Sequence, residues 1–338
     1  MKKPILEVRN LQTHFYTDQG VVPAVDGVSF SLYEGEVLGI VGESGCGKSV
    51  TSLSIMGLIP SPPGKIVGGE ILFRQKQGNG EQTENLVKVS KKRLRQIRGN
   101  QIAMIFQEPM TSLDPLFTIG DQIIEVLKNH RKISKREARK KAIELVQSVG
   151  IPRAEEIVDD YPHQLSGGMR QRVMIAMAMA CDPEVLIADE PTTALDVTIQ
   201  AQILDLMKKL NREKGTAIIM ITHDLGVVAE MCDRVIVMYA GKVVEEGSVR
   251  TILKDPKHPY TKGLIRSLPK LRERKKRLYS IPGQVPKPGS IQKGCRFAPR
   301  CELAFDRCFV EDPSLYTIKE GHRCRCFLYE KEGNVAHV

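Results

Sequence analysis

Long hydrophobic runs are missing from this sequence. The longest, Val173–Cys181, has nine residues, whereas a helix needs about 20 apolar residues to cross a bilayer. The N-terminus is also unlike a signal peptide, because Lys2 and Lys3 are followed by Pro4 and Glu7 rather than by an apolar segment. We therefore expect no membrane-spanning helix, no signal peptide, and a soluble, cytosolic chain.

Extremes of composition are missing too. Hydrophobic residues make up 41% and charged residues 27% of the 338-residue chain, which is ordinary for a globular protein. This composition excludes disorder, a collagen-like helix and a coiled coil as descriptions of the whole chain, and we find no internal repeat. The length suggests two domains, or one large domain with an appendage.

Charge and cysteine are unevenly distributed along the chain. Residues 261–338 contain 17 Lys and Arg against 8 Asp and Glu, whereas residues 1–260 contain 33 against 32. Five of the eight cysteines also crowd into this tail, at Cys295, Cys301, Cys308, Cys324 and Cys326. We therefore predict one domain over residues 1–255 and a C-terminal extension over residues 256–338.

Short apolar segments alternate with helical patterns. Apolar and β-branched residues predict strands at Ile5–Phe15, Val25–Leu32, Val37–Val41, Val185–Ala188 and Ala217–Ile221, with a closing hairpin over Val235–Glu246. Residues 60–100 are rich in Pro and Gly and predict loops, and residues 115–165 have helical periodicity. The alternation predicts an α/β fold with a parallel sheet covered by helices.

A glycine-rich motif follows the apolar run Val37–Val41. It fits G-x-x-x-x-G-K-[ST] and reads Gly42-Glu43-Ser44-Gly45-Cys46-Gly47-Lys48-Ser49. Such glycines let successive amides face one point, and the following helix adds the positive end of its dipole. Lys48 is predicted to reach the β- and γ-phosphates and Ser49 to coordinate Mg²⁺. The motif therefore predicts a nucleoside triphosphate site.

Two further strands end in polar residues. Val185–Ala188 leads into Asp189 and Glu190. Asp189 at a strand end is placed to hold the Mg²⁺ shell, and Glu190 to orient or deprotonate an attacking water. His223 follows Ala217–Ile221 at the corresponding position and is predicted to reach the γ-phosphate.

A second anion site is indicated at Leu165–Arg172. Ser166 is a good helix N-cap, and Gly167 and Gly168 allow an outside group to approach closely. The start of a capped helix with bare glycines attracts anions. A chain with two phosphate sites either binds two ligands or closes one ligand between two copies.

In this combination and order, the motifs resemble the ATP-binding subunits of ABC transporters over about residues 5–250. The resemblance implies a P-loop NTPase core with an antiparallel β subdomain and a helical subdomain at about residues 115–180. It also implies that Gln107 senses Mg²⁺ and γ-phosphate, and that Ala194-Leu195-Asp196 is the D-loop. The implied catalytic residues are Glu190, His223, Lys48 and Gln107. The implied ATP-binding set also contains Phe15, Tyr16, Gly42, Glu43, Ser44, Gly45, Cys46, Gly47, Ser49, Val50, Ser166, Gly167, Gly168, Met169, Asp189 and Asp196, with Ser49, Gln107 and Asp189 on Mg²⁺.

Four further residues bear on the nucleotide site. Members of this family carry an aromatic residue before the phosphate loop that stacks on adenine, and Phe15 is favoured here over Tyr16. Met169 departs from the commoner Leu-Ser-Gly-Gly-Gln signature, and the variant resembles the D-type ATPase of dipeptide and oligopeptide importers. Cys46 lies at a helix N-terminus, where a thiol tends to become more acidic, so we expect its alkylation to block ATP binding.

The resemblance also implies partners. ATP would lie between the phosphate loop of one subunit and the signature of another, in a head-to-tail dimer. The second subunit is either an identical chain or an F-type paralogue. Two transmembrane permease subunits would dock a short helix near Glu108-Pro109-Met110, and an extracytoplasmic peptide-binding protein would take part indirectly. This places the chain on the cytoplasmic face of the membrane as a peripheral subunit.

The tail cysteines predict a metal site. Disulfides are unusual in a cytosolic protein, and scattered core cysteines do not crowd among Arg, Lys and Pro. Spacing alone does not choose between zinc and an iron–sulfur cluster. His258–Thr261 and Gly294–Cys301 resemble the C-terminal extension of peptide-importer ATPases. That resemblance implies a [4Fe–4S] cluster, with Cys326 favoured over Cys324 because the last family cysteine follows a Gly-His step; the implied ligands are Cys295, Cys301, Cys308 and Cys326.

Three alternatives remain beside a peptide-importer ATPase. A nickel or sugar importer has related subunits. A soluble ABC ATPase of DNA repair or translation is disfavoured because only one cassette is present, and a regulator without hydrolysis because both Glu190 and His223 are present.

The basic run Lys270–Arg277 is usually a solvated face, and contact with anionic headgroups is its other interpretation. Nucleic acid is not expected as a partner, because no recognition motif accompanies the charge.

Overall fold

The computed structural model describes residues 3–77, 80–107, 112–193, 195–268, 279–287, 289–291, 293–330 and 334–335. The chain divides into two compact units. The first contains residues 1–32, 37–87 and 221–338, and the second contains residues 33–36 and 88–220. No helix among the described residues is both long and apolar enough to span a bilayer.

The strands of the described residues are numbered in chain order. They are β1 (Leu6–Thr17), β2 (Gly20–Leu32), β3 (Val37–Val41), β4 (Gly64–Gln77), β5 (Gly80–Asn85), β6 (Ile102–Ile105), β7 (Val185–Asp189), β8 (Ala217–Thr222), β9 (Arg234–Tyr239), β10 (Lys242–Ser248), β11 (Tyr316–Lys319), β12 (His322–Cys324) and β13 (Asn334–Val335).

The helices of the same residues are numbered separately. They are α1 (Lys48–Ile55), α2 (Lys91–Ile97), α3 (Ile119–His130), α4 (Lys135–Ser148), α5 (Ala154–Ile157), α6 (Gly167–Ala178), α7 (Val197–Lys214), α8 (Leu225–Met231), α9 (Val249–Lys254), α10 (Pro259–Arg266) and α11 (Asp306–Val310).

The first unit contains an antiparallel sheet with strand order β2-β1-β4-β5. The prediction of loops over residues 60–100 is wrong for β4, β5 and α2. Pro62 and Pro63 precede β4, but Gly68 and Gly69 lie inside it, at an irregularity in its pairing with β1. β4 pairs with β1 on one side and with β5 on the other, and the pairing with β1 joins segments that lie far apart in sequence.

A second group of strands in the first unit carries the phosphate loop and the tail. β3 pairs in parallel with β9, and β9 forms the expected hairpin with β10. β12 adds to the other edge of β10, where Cys324 lies opposite Glu245. The C-terminal strands therefore extend the hairpin instead of forming a separate sheet.

An aromatic core fixes the segment after residue 255 to β9. The Tyr239 ring lies 4.6 Å from that of Tyr260 and 5.2 Å from that of Phe297, between ring centroids. Tyr239 and Tyr260 are fully buried. Aromatic contacts of this kind stabilise a fold by about 0.5–1.5 kcal/mol each beyond the burial of area.

The second unit contains β6 and β7, paired in parallel, together with the helices α2 to α7. Its helix starts are well specified: Ser134 and Glu137 form a reciprocal capping box at α4. Ala138, Ala142 and Val146 line the buried face of α4, as the predicted helical periodicity requires.

Candidate functional site

The phosphate loop joins β3 to α1 in the first unit. Gly47 has a positive φ of 101°, and a Cβ added there would lie 2.5 Å from the carbonyl oxygen of Ala24. A Cβ at Gly42 would lie 2.3 Å from the carbonyl oxygen of Met238. Side chains are therefore excluded at both positions by close backbone approach.

Lys48 lies inside this loop. Its side chain is 6% exposed, and Nζ donates hydrogen bonds to the carbonyl oxygens of Gly42 at 2.8 Å and Glu43 at 3.2 Å. Ser49 is half-buried beside it in the first turn of α1, whereas Ser44 and Gly45 are exposed at the crest of the loop. A buried ammonium group beside a helix N-terminus makes the loop an anion site.

The two candidate adenine-stacking residues lie near the end of β1. The ring of Phe15 is half-buried beside Gly64, where a Cβ would lie 2.9 Å from Phe15 Cε1. Tyr16 is 52% exposed. Successive side chains of a strand point to opposite faces, so only one of the two can face a given ligand.

The expected acidity of Cys46 is wrong. Cys46 is fully buried, and burial raises the pKa of its thiol above the ordinary value even though Lys48 opposes the shift. A Cβ at Gly42 would come within 2.6 Å of Cys46 Sγ, so the thiol packs beneath the loop. Desolvation of the thiolate outweighs the field of the helix N-terminus.

The strand-end acids belong to the second unit. Asp189 ends β7 and is 3% exposed. Glu190 follows with a positive φ of 49°, a conformation that non-glycine residues rarely adopt and that clusters at functional sites. Its Oε2 accepts hydrogen bonds from Gln107 Nε2 at 3.2 Å and from Thr193 Oγ1 at 3.0 Å. Two of the predicted catalytic residues, Gln107 and Glu190, are therefore in contact.

The signature and the D-loop meet in the same unit. Ser166 caps α6, because its Oγ accepts a hydrogen bond from the Met169 amide at 3.3 Å. Asp196 caps α7 in the same manner through the Ile199 amide at 2.9 Å. A Cβ at Gly168 would lie 2.9 Å from Ile199 Cγ2, whereas Gly167 has open space. His223 belongs to the first unit, where it is exposed beyond the end of β8.

The tail cysteines share one cavity with apolar neighbours. Cys295, Cys301, Cys308 and Cys326 all line it, beside Phe297 and Phe327. Cys324 does not line it, because this residue is fully buried on β12 opposite Glu245. The Cys295 amide donates to the Cys308 carbonyl oxygen at 2.8 Å. Burial raises the pKa of Cys295 and of Cys326 to about 11.

The predicted metal site in the tail finds no support in the geometry of the described residues. Among the described residues, no group of three or more His, Cys, Asp or Glu side chains is arranged to hold one metal ion. A zinc ion needs every sulfur at about 2.3 Å from one point. A four-iron cluster binds each cysteine on a different iron, so its ligands stand farther apart.

Tyr260 and Arg300 contact the phosphate loop, and neither contact was predicted from the sequence. Glu43 in the phosphate loop donates its amide to Tyr260 Oη at 2.8 Å, and its carboxylate pairs with Arg300 at 2.7 Å. Both residues lie in the segments that resemble the peptide-importer extension, but no local pattern indicated that Glu43 is their partner. Three predicted features lie outside the described residues: Glu108-Pro109-Met110, Ala194, and the whole of Lys270–Arg277.

Family comparisons cover both parts of the chain. Residues 25–193 match the ABC transporter family, and residues 244–308 match the family described as "Oligopeptide/dipeptide transporter, C-terminal region". A structure of the ATP-binding cassette MJ0796, a dimer bound to ADP and Pi, is 30% identical with a TM-score of 0.62. It covers 72% of this chain and 99% of that chain. The α/β nucleotide-binding fold of ABC ATPases is therefore confirmed.

Curated relatives extend the match over nearly the whole sequence. The oligopeptide transport ATP-binding protein AppD of Bacillus subtilis is 55% identical over 97% of this chain and 98% of its own length. The dipeptide transport ATP-binding protein DppD of the same organism is 50% identical over 98% and 97%. This chain belongs to the family of ATP-binding subunits of ABC-type oligopeptide and dipeptide transporters.

Proposed function

We propose that this chain hydrolyses ATP at an interface with a second ATP-binding subunit and thereby powers uptake of di- or oligopeptides through two membrane permease subunits. The observation that carries the proposal is the phosphate loop, with Lys48 buried inside it. The 50–55% identity to oligopeptide and dipeptide transport proteins supports the solute class.

Residues of the first unit would bind the phosphates and the adenine of ATP. Lys48 and the loop amides from Gly42 to Val50 would hold the β- and γ-phosphates, and Phe15 would stack on adenine, with Tyr16 as the alternative. Ser49 of this unit, with Gln107 and Asp189 of the second unit, would hold Mg²⁺ through oxygen ligands, which this ion prefers. When bound, Mg²⁺ neutralises charge that develops on the phosphate oxygens.

The second unit supplies the residues that activate water. Glu190 would accept the proton of the attacking water, and the hydrogen bonds from Gln107 and Thr193 support this role because they orient the carboxylate. His223, which belongs to the first unit, would contact the γ-phosphate. Asp196, whose side chain caps α7, would act through the partner subunit.

The signature would close the dimer. Ser166 and Gly167 are exposed at the start of α6, and exposed helix amides attract phosphate. We propose that these residues, with Gly168 and Met169, contact the γ-phosphate held by the opposite subunit. The partner is an identical chain or an F-type paralogue, and an extracytoplasmic binding protein would deliver the peptide. The chain would sit peripherally on the cytoplasmic face.

Reconstitution tests this function. We expect the chain, co-expressed with a permease pair and a second ATPase subunit, to support uptake of labelled dipeptide or oligopeptide into proteoliposomes containing ATP. Lys48→Ala should abolish both hydrolysis and uptake. Uptake of nickel or a sugar in place of peptide would contradict the solute class, and ATPase activity stimulated by DNA or ribosomes would contradict the transport role.

For the tail, we propose that residues 256–338 form an extension whose Cys295, Cys301, Cys308 and Cys326 hold a [4Fe–4S] cluster. Four thiolates are a suitable donor set, and their shared cavity supports the proposal. Zinc is the alternative occupant of the same four cysteines. A bound cluster would cross-link a tail with little core of its own.

Metal analysis of the full chain tests the cluster. Anaerobic purification should give iron and sulfide in equal amounts and a brown chromophore. Serine at any of the four positions should remove most of the iron, whereas Cys324→Ser, the matched control, should retain it. One zinc per chain without iron, or iron loss only in Cys324→Ser, would contradict the assignment.

A further inference from the structure

Glu43 of the phosphate loop is hydrogen-bonded to the C-terminal segment. Arg300 Nη1 donates to Glu43 Oε2 at 2.7 Å, and Nη2 donates to Oε1 at 3.1 Å. The two parallel hydrogen bonds make a bidentate ion pair, the strongest common form of such a contact. The Arg300 side chain is 5% exposed and that of Glu43 30%, so solvent screens this pair only partly.

The position of Arg300 is fixed before it reaches the loop. Its Nε donates to the carbonyl oxygen of Pro282 at 2.8 Å, and Nη1 also donates to Tyr239 Oη at 3.2 Å. The guanidinium lies 5.9 Å from the centroid of the Phe297 ring. Because these contacts already fix the guanidinium, Arg300 loses little conformational entropy when it pairs with the Glu43 carboxylate.

The backbone of Glu43 is held by the same segment. Its amide donates to the hydroxyl of Tyr260 at 2.8 Å. Tyr260 is fully buried and packs against the Tyr239 and Phe297 rings. The side chain and the backbone of one loop residue are therefore fixed by two residues that lie beyond position 255.

Glu43 is also hydrogen-bonded to other residues of the phosphate loop. Its carbonyl oxygen accepts hydrogen bonds from the Cys46 amide at 3.3 Å and from Lys48 Nζ at 3.2 Å. A loop held in its binding conformation loses less entropy when a ligand binds. The carboxylate of Glu43 is also a negative charge within the triphosphate site, and an unpaired carboxylate there would repel phosphate.

We propose that Arg300 and Tyr260 are positioning residues for the phosphate loop: Arg300 neutralises and anchors Glu43, and Tyr260 holds its amide. The C-terminal segment thereby sets the affinity of the site for ATP. This inference rests on the assignment of residues 42–49 as the ATP site, and Lys48→Ala tests that assignment independently.

The experiment is a double-mutant cycle on the full-length chain. Variants Arg300→Gln, Glu43→Gln and the double variant are compared for the Kd of Mg-ATP, for KM and for kcat. We expect Arg300→Gln to raise Kd and KM about tenfold or more, because it leaves the Glu43 charge unpaired, while kcat changes less than about threefold. Glu43→Gln should have a smaller effect. The double variant should bind ATP better than Arg300→Gln, because the repulsive charge is gone.

Salt dependence separates this role from a merely structural one. The affinity lost in Arg300→Gln should be largest at low ionic strength and shrink as salt screens the exposed charge. Tyr260→Phe should raise Kd without this salt dependence. Arg139→Gln is the matched control, because it removes another bidentate pair, with Asp159 at 2.8 and 2.7 Å on an exposed surface, and should leave Kd unchanged.

Several results would overturn the proposal. One is a Kd for Arg300→Gln within twofold of that of the parent protein. Another is a double variant that binds ATP no better than Arg300→Gln. A third is a loss of ATP affinity that is fully explained by lower stability, measured as a lower urea midpoint. If Lys48→Ala binds ATP as tightly as the parent, the ATP-site assignment fails instead. If Lys48→Ala loses binding and Arg300→Gln does not, the site stands and the positioning role is wrong.

Discussion

Gln107 donates a hydrogen bond from its side-chain amide to the Glu190 carboxylate at 3.2 Å, although 83 positions separate them in sequence. Thr193 donates a second hydrogen bond to the same oxygen. The carboxylate is therefore oriented by two neighbours, while its own backbone has a positive φ of 49°. Retention of an unfavourable backbone conformation at this residue supports a functional role for the side chain.

The first prediction concerns the general base. Glu190→Gln keeps the size of the side chain but removes its ability to accept a proton. We expect steady-state hydrolysis to fall at least about 100-fold, with tight ATP binding retained because Lys48 and the loop are unchanged. Single-turnover hydrolysis and equilibrium ATP binding measure the two effects. Glu156→Gln, the same change of charge in an exposed pair with Arg153, should be silent. Near-normal hydrolysis in Glu190→Gln would refute the base assignment.

A second prediction distinguishes the two signature glycines. A side chain at Gly167 meets open space within the chain, whereas one at Gly168 meets Ile199. Gly167→Leu should therefore leave the urea midpoint unchanged and still reduce ATP turnover in the assembled transporter, because it blocks the approach of the opposite subunit. Gly168→Leu should lower both stability and turnover. Full turnover in Gly167→Leu would be incompatible with a dimer closed across the signature.

The third prediction concerns Cys46. Because this thiol is fully buried and burial raises its pKa, we expect a maleimide at pH 7 to label it slowly in the folded chain and rapidly in urea. Peptide mass spectrometry measures the rate at this position. Once labelled, the loop should lose ATP affinity, because the adduct has no space beneath Gly42. Rapid labelling of the folded chain would show that the loop opens readily.

The fourth prediction is a pH dependence of stability. Burial lowers the pKa of His258 to about 4, and its Nδ1 accepts the Tyr260 amide at 3.1 Å, which requires that nitrogen to be unprotonated. Between pH 6.5 and about 4 the unfolded chain binds a proton that the folded chain does not. The stability that neutral His258 contributes is therefore full above pH 6.5 and is lost as pH falls to about 4.

His258→Asn tests this dependence directly. Asparagine retains an N-cap acceptor for α10 but does not titrate. The variant should show a flatter decline of the free energy of unfolding between pH 6.5 and 4.5, as measured by urea titration at each pH. A slope equal to that of the parent would assign the dependence to other groups.

Local patterns were sufficient for the phosphate loop and for the start of α6. Gly42 and Gly47 are required where the backbone of another segment lies within 2.5 Å of an added Cβ, and glycines required in this way form a recognisable motif. Ser166 caps α6, as predicted, through the Met169 amide three residues away. A contact over so short a separation is encoded in the local spacing.

Local patterns failed where a partner is distant. β4 was not predicted because Gly68 and Gly69 interrupt its apolar pattern, and one of its two partner strands, β1, is distant in sequence. The acidity of Cys46 was predicted with the wrong sign because its depth beneath the loop does not follow from its position at a helix start.

The sequence by itself determined the ATPase class of this protein, since the phosphate loop, the strand-end acids and the signature are short contiguous motifs whose chemistry depends on neighbouring residues. Only the tertiary structure decided which residues outside those motifs hold Glu43. Arg300 lies 257 positions away from it, and a contact across that separation depends on the packing of every element between them.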